Sequence, residues 1–210
     1  MMQSGRFSLP AAGILTSAGI ILTYAELPMP FVPPFMKIDI SDVPSLIGLF
    51  SMGFPAAVFI TAAKDIIHLF VSESLGIGEI CNFFVTLIYL AAFRALAPLS
   101  RKAGYGAAIL AMTAAAAFLN AAVLLPLYFA AFHIDEAQLL AMTRAAGSPV
   151  SSMTDYILMA VVPFNLVKGT AIAVVSELLW KKLSASFRGS GQPRQTIYKY
   201  RTGLLRAGLF

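Results

Sequence analysis

The sequence predicts an all-α membrane protein with six transmembrane helices and both termini cytoplasmic. Three observations carry this. The chain of 210 residues is 59% hydrophobic and only 12% charged, against roughly 25% charged in a soluble domain. Its mean hydropathy is +0.81. Its apolar runs are as long as a bilayer core of ~30 Å demands of a helix rising ~1.5 Å per residue.

The first helix is expected from Phe7 to Ala25, an apolar run longer than a signal-peptide core and preceded by one nearby arginine, Arg6. A short second helix follows from Val43 to Met52. Gly53 and Pro55 then break the chain before a third, Phe54 to Val71. The fourth is expected from Gly78 to Leu99, the fifth from Tyr105 to Phe132, and the sixth from Asp155 to Leu183. Residues 1–183 thus form the membrane domain, and 184–210 a basic cytoplasmic tail interrupted by Gly189, Gly191 and Pro193.

Reading the second and third helices as one broken span would leave five. Basic residues decide for six. Arg6, Arg94, Arg101, Lys102, Lys181, Lys182 and the tail cations fall on one side, with only Lys37 and Arg144 on the other. The positive-inside rule makes the first side cytoplasmic. Glu26, Asp39, Asp42, Glu73, Asp135 and Glu136 then fall outside.

The sixth helix carries Asn165 and Lys168 near its middle, three apart and therefore on one face. A lysine at that depth costs roughly 2.5–3.5 kcal/mol and usually faces a protein interior or a cavity. Pro163 is expected to kink the helix and free a carbonyl. Glu79 and Asn82 form a matching pair on the fourth helix, and Asn120 adds an amide on the fifth. Each needs a partner in a low-dielectric setting. An ion pair between Glu79 and Lys168 is one account. Three asparagines on three helices exceed the needs of one pair, and such an array suits a polyhydroxylated or heteroaromatic ligand. Phe83, Phe84 and Tyr128 are available to flank a ring, or to face lipid.

The first external loop, residues 26–44, contains Pro28, Pro30, Pro33, Pro34 and Pro44. These stiffen it, so it loses little entropy on ordering. With Phe35, Met36 and Lys37 it reads either as a lid or as a segment packed permanently on the helix ends. Lys64 and Asp65 are sequence neighbours, which do not share a helix face, so no direct pair is expected between them. His68 and His133 read as satisfied interfacial histidines. On the first helix, Ala12 with Thr16 and Gly13 with Ser17 form small-xxx-small pairs. These serve either docking of a partner or packing within the bundle.

Several classes are excluded. The single cysteine, Cys81, rules out an internal disulfide and a cysteine metal cluster. No HExxH or GxSxG supports a hydrolase, and no GxxxxGK[ST] loop binds ATP. The net charge of +5 follows membrane topology and is no nucleic-acid footprint.

The segments LPMPFVPPFMKIDISDVPSLIG, GEICNFF, LNAAVLLPLY and VPFNLVKG, in this order, resemble the riboflavin-specific substrate-binding subunits of energy-coupling factor transporters. The resemblance covers about residues 9–183. It implies a multi-pass protein of the cell membrane that is not an enzyme and has no cofactor of its own. It implies riboflavin bound from outside beneath the first loop, at Glu79, Asn120, Asn165 and Lys168, to which helix phase adds Asn82. It also implies docking on a transmembrane coupling subunit and two subunits that use ATP. Alternatives are FMN or another vitamin as ligand, a stand-alone ion-coupled carrier with Lys168 and Glu79 as a proton relay, or a structural membrane partner.

Overall fold

In the computed structural model, residues 7–72 and 74–189 are described, the last five by their backbone alone. Arg6, Glu73 and the tail from residue 190 onward lie outside the described residues.

The chain is a helical bundle. Helix α1 (Leu9–Thr23) leads into a hairpin of two short antiparallel strands, β1 (Leu27–Pro28) and β2 (Lys37–Ile38), with Leu27 opposite Ile38. Then come α2 (Val43–Met52), α3 (Phe54–Leu69) and α4 (Ile77–Leu96). Helix α5 (Arg101–Leu119) passes through a π turn (Asn120–Leu124) into α6 (Leu125–Phe132). A short α7 (Glu136–Ala145) precedes α8 (Met153–Tyr156), a second π turn (Ile157–Val161) and α9 (Val162–Gly189).

Each expected helix has its counterpart, and α2 has the bounds read from sequence. Among the described residues, three continuous helices are long and apolar enough to cross a membrane: Ile77–Leu96, Arg101–Phe132 and Met153–Ser184. Leu9–Thr23 and Val43–Met52 are apolar but shorter. At ~1.5 Å per residue α2 is only about 15 Å long, half a bilayer core. It is buried from Val43 through Phe50. Helix α2 is thus enclosed by its neighbours. Gly53 supplies the break, with φ of 91°, a value that favours glycine.

Two elements were not anticipated. One is the hairpin inside the first loop. The other is α7, whose start is fixed by a capping box in which the Asp135 carboxylate accepts from the Gln138 amide. The last helical stretch begins at Met153 because Ser152 caps it in the same way, and α9 continues past Leu183.

The core has two main parts. One joins α2, α4, α5 and α9 around Leu46, Leu49, Phe50, Tyr89, Phe93, Met112 and Ile172. Arg101 lies 4.4 Å above the Phe50 ring, and Trp180 packs on its edge at 5.3 Å. The other part is built from loops, short helices and the second π turn: Val32, Leu125, Leu139, Leu140, Val150, Tyr156, Ala160 and Val161. The first loop is tied down here, since the Phe31 amide donates to the Ala146 carbonyl at 3.1 Å.

Candidate functional site

The two π turns have the same local cause. Each contains an i to i−5 bond, from the Leu125 amide to the Asn120 carbonyl and from the Val162 amide to the Ile157 carbonyl. In each, a proline follows the first π residue by six positions, Pro126 after Asn120 and Pro163 after Ile157. A proline ring clashes with the carbonyl four residues back and donates no hydrogen bond. Widening the preceding turn relieves the clash. The freed carbonyl expected at Pro163 takes this form, and such turns recur at functional sites.

The two π turns touch one another across the bundle. Each brings an asparagine with it. Asn120 Nδ2 donates to the Ala116 carbonyl and Asn165 Nδ2 to the Val161 carbonyl, both at 2.8 Å. With an amide hydrogen of each committed to its own helix, the side-chain oxygens are the groups left to act as acceptors.

Lys168 sits one turn along from Asn165 and is buried. Its ammonium donates to Asn82 Oδ1 at 2.9 Å and to Asp39 Oδ2 at 3.2 Å, and pairs with Asp42 Oδ2 at 3.5 Å. Two of its three N–H bonds are thus committed to hydrogen bonds, and the contact with Asp42 is an ion pair. Lys64 mirrors it from α3. It donates to Asp42 Oδ1 at 2.8 Å and Ser41 Oγ at 2.9 Å, and pairs with Asp65 Oδ1 at 3.1 Å. Asn82 Nδ2 reaches Asp65 Oδ1 at 3.4 Å. The result is a closed ring, Lys64–Asp42–Lys168–Asn82–Asp65, with Asp39 of the first loop attached at Lys168. Gly19 of α1 makes room, because a Cβ there would lie 3.2 Å from both Lys64 Cδ and the Ser41 carbonyl.

Two expectations are corrected here. Lys64 and Asp65 do pair, because a long lysine stem and a short aspartate can converge on Asp42 although their Cα atoms diverge. Asp39 and Asp42, read from sequence only as acids of the outer side, are the partners of the buried lysines. Glu79 does not neutralise Lys168. It takes His68 Nδ1 at 2.9 Å, Ser72 Oγ at 2.8 Å and Ser74 Oγ at 2.7 Å. The direct relay from Glu79 to Lys168, on which an ion-coupled carrier would depend, is therefore not formed.

Asp39 lies outside the helices. Burial pushes its carboxyl up, but the Lys168 and Lys64 ammoniums and the hydrogen bonds from Ser41 outweigh this and hold it well below the usual carboxylate range.

The loop residues divide. Phe35 stacks on Tyr128 at 5.7 Å and 22°, and Tyr128 stacks in turn on Phe132 at 5.2 Å and 21°. Tyr156 O–H donates to Met36 Sδ at 3.4 Å. Lys37 points away from the ring of charges and pairs with Glu26 at 2.7 Å. On α1, Ala12 and Thr16 pack inward, whereas Gly13 and Ser17 are exposed and Ser17 Oγ donates to the Gly13 carbonyl at 3.0 Å. Phe83 and Phe84 flank a cleft of about 240 Å³ between α3 and α4 that also reaches Asp65 and Glu79. A cleft of about 270 Å³ runs from Met29, Phe31 and Val32 to Ser148, Met159 and Pro163, beneath the first loop. Lys168 and Asn165 line neither cleft.

Sequence reasoning missed Asp39, Ser41, Asp42, Lys64 and Asp65 as members of the site. The available signal was the matched pair of intramembrane lysines. Two such charges demand carboxylates, and DISD at the entry to a wholly apolar helix supplies them.

Comparison with known proteins agrees with this architecture. The chain is 29% identical over 189 residues to the riboflavin transporter RibU of Staphylococcus aureus (strain TCH60), covering 88% of this chain and 93% of that one. It is 28% identical over 183 residues to the riboflavin transporter FmnP of Bacillus subtilis (strain 168), covering 83% and 90%. A solved structure of the S component of a bacterial ECF transporter superposes with a TM-score of 0.69 at 28% identity, over 85% of this chain and 96% of that one. The family model for the ECF transporter substrate-specific component matches residues 8–180, and with the helical bundle and its loop-covered polar centre this establishes that the chain belongs to that family of transporter subunits rather than to any class of enzymes.

Proposed function

We propose that this chain binds riboflavin from the outer side of the cell membrane and is the substrate-specific subunit of an ATP-driven importer. The observation that carries the reading is the nearly full-length match to relatives named as riboflavin transporters. The geometry supports it with a stiff apolar loop seated over polar side chains from three helices.

The residues divide the work. The oxygens of Asn120 and Asn165 accept hydrogen bonds from ring N–H or ribityl hydroxyl groups, while Asn82 and Lys168 donate to ligand oxygens beside them. Glu79 completes the polar rim. Tyr128 offers a face to the flat ring once Phe35 lifts from it, and Phe35, Met36 and the rest of the loop then exclude water. Both termini lie on the cytoplasmic side. The exposed Gly13 and Ser17 face of α1 meets a transmembrane coupling subunit, whose two ATPase partners supply the energy. Ala12 and Thr16 support that face from within.

The test is fluorescence titration of the purified protein in detergent with riboflavin. Saturable quenching at a 1:1 ratio is expected. A folded protein that leaves the fluorescence unchanged would falsify the reading. Uptake in vesicles should require the coupling and ATPase subunits; uptake without them would favour a stand-alone carrier.

A further inference from the structure

We infer that the buried charge cluster selects the neutral vitamin against its phosphate ester, and that Asp39 sets this preference. The inference rests on riboflavin being the ligand, with its ribityl chain turned toward Lys168.

A lone buried lysine facing a ligand site would favour an anion. Lys168 is not alone. It donates to Asp39 and Asn82 and forms an ion pair with Asp42. Around it, Asp39, Asp42 and Asp65 are set against Lys64 and Lys168, leaving one carboxylate in excess. Glu79, held by Ser72, Ser74 and His68, adds another at the rim. The excess is also visible as unmet demand: among the described residues Asp65 Oδ2 is buried with no hydrogen-bond donor, and Asp42 Oδ2 has only the Lys168 ammonium at ion-pair distance.

A neutral polyol meets such a field with hydroxyl donors and is attracted. A phosphate monoester brings about −1.5 to −2 charges at neutral pH and only acceptor oxygens. Like charges repel far more strongly in a water-poor site than in bulk water. Asp39 lies in the loop, outside the closed ring, and joins it at Lys168. Replacing it with asparagine cancels the excess and leaves Lys168 with Asn82 and Asp42.

The experiment compares three ligands on the parent protein: riboflavin, its 5′-acetate ester and flavin mononucleotide. The acetate controls for size without charge. We expect riboflavin and the acetate to bind within about threefold of each other and the mononucleotide at least about tenfold more weakly. In Asp39→Asn the gap between mononucleotide and riboflavin should narrow at least about threefold. An acetate as weak as the mononucleotide assigns the discrimination to size and overturns the inference. So does a mononucleotide that binds the parent as tightly as riboflavin, or a folded Asp39→Asn protein with the gap unchanged. If Asp39→Asn does not fold, the ligand series on the parent decides alone. Absence of riboflavin binding overturns the functional reading beneath, whereas riboflavin binding with the wrong ligand order overturns this inference only.

Discussion

The bundle has two unlike halves. Around Phe50, Phe93 and Trp180 the packing is helix against helix, apolar and aromatic, closed by Arg101 bridging the Phe50 ring and Glu177. Beneath the first loop the packing is made by loops, π turns and a ring of buried charges. The first half can be satisfied by any residues that fill space. The second is held by partners that must all be present. This difference separates stability from binding: the aromatic half anchors the helices, while the loop-built half has side chains that a ligand can recruit.

The largest effect should come from breaking the ring. Lys64→Met leaves Asp65 without its ammonium and Asp42 with Lys168 alone, and removing one partner of a buried pair costs about 3–5 kcal/mol. Thermal unfolding in detergent, read at the single Trp180, should show a large drop and riboflavin binding should be lost. A variant as stable as the parent would mean that the cluster is solvated.

Leu49→Ala tests the other half. Leu49 is fully buried in α2. Lipid already solvates a leucine in the unfolded membrane state, so lost packing and the cavity carry the cost, about 2–3 kcal/mol, near the low end for such changes. Riboflavin affinity should change by no more than about twofold, an energy well under 1 kcal/mol. An affinity loss matching the stability loss would erase the distinction between the halves.

Tyr128→Ala removes both stacking contacts, worth about 0.5–1.5 kcal/mol each. Riboflavin should dissociate faster, as followed by stopped-flow fluorescence, and Tyr128→Phe should restore most of the parent rate. A Phe variant as defective as Ala would transfer the role from the ring to the hydroxyl.

Acid should act on the loop contact later than on an ordinary carboxylate. Asp39 is held low in the folded protein, so its contribution is fully present above the unfolded value of about 3.9 and is lost as pH falls through the folded value. The stability difference between parent and Asp39→Asn should be constant from pH 8 to 5 and shrink only in stronger acid. A difference that vanishes by pH 5 would place Asp39 outside the lysines' field.

The smallest effect belongs to the surface. Glu26→Ala removes the half-exposed pair with Lys37 and should cost less than about 1 kcal/mol, with flavin affinity unchanged. A clear loss of affinity would make the hairpin part of the binding surface.

Apolar run length and turn residues were enough to locate the apolar helices, though not the more polar α7. Chain punctuation is local: Gly53 and Pro55 mark the α2–α3 break, and Pro126 and Pro163 mark the places where a helix has to widen. The lysine at position 168 was equally legible as a charge requiring company. Its pairing with Asp39 and Asp42 was not read, because these acids lie in a loop, while Asn82 and Lys168 lie on two separate helices, and the four converge only through long-range packing. Nor could spacing alone reveal that α2 is enclosed or that Lys64 and Asp65 converge. Hydrophobicity says that a segment leaves water, but whether it then meets lipid or protein, and which charge meets which, depends on distances that exist only once the bundle has closed.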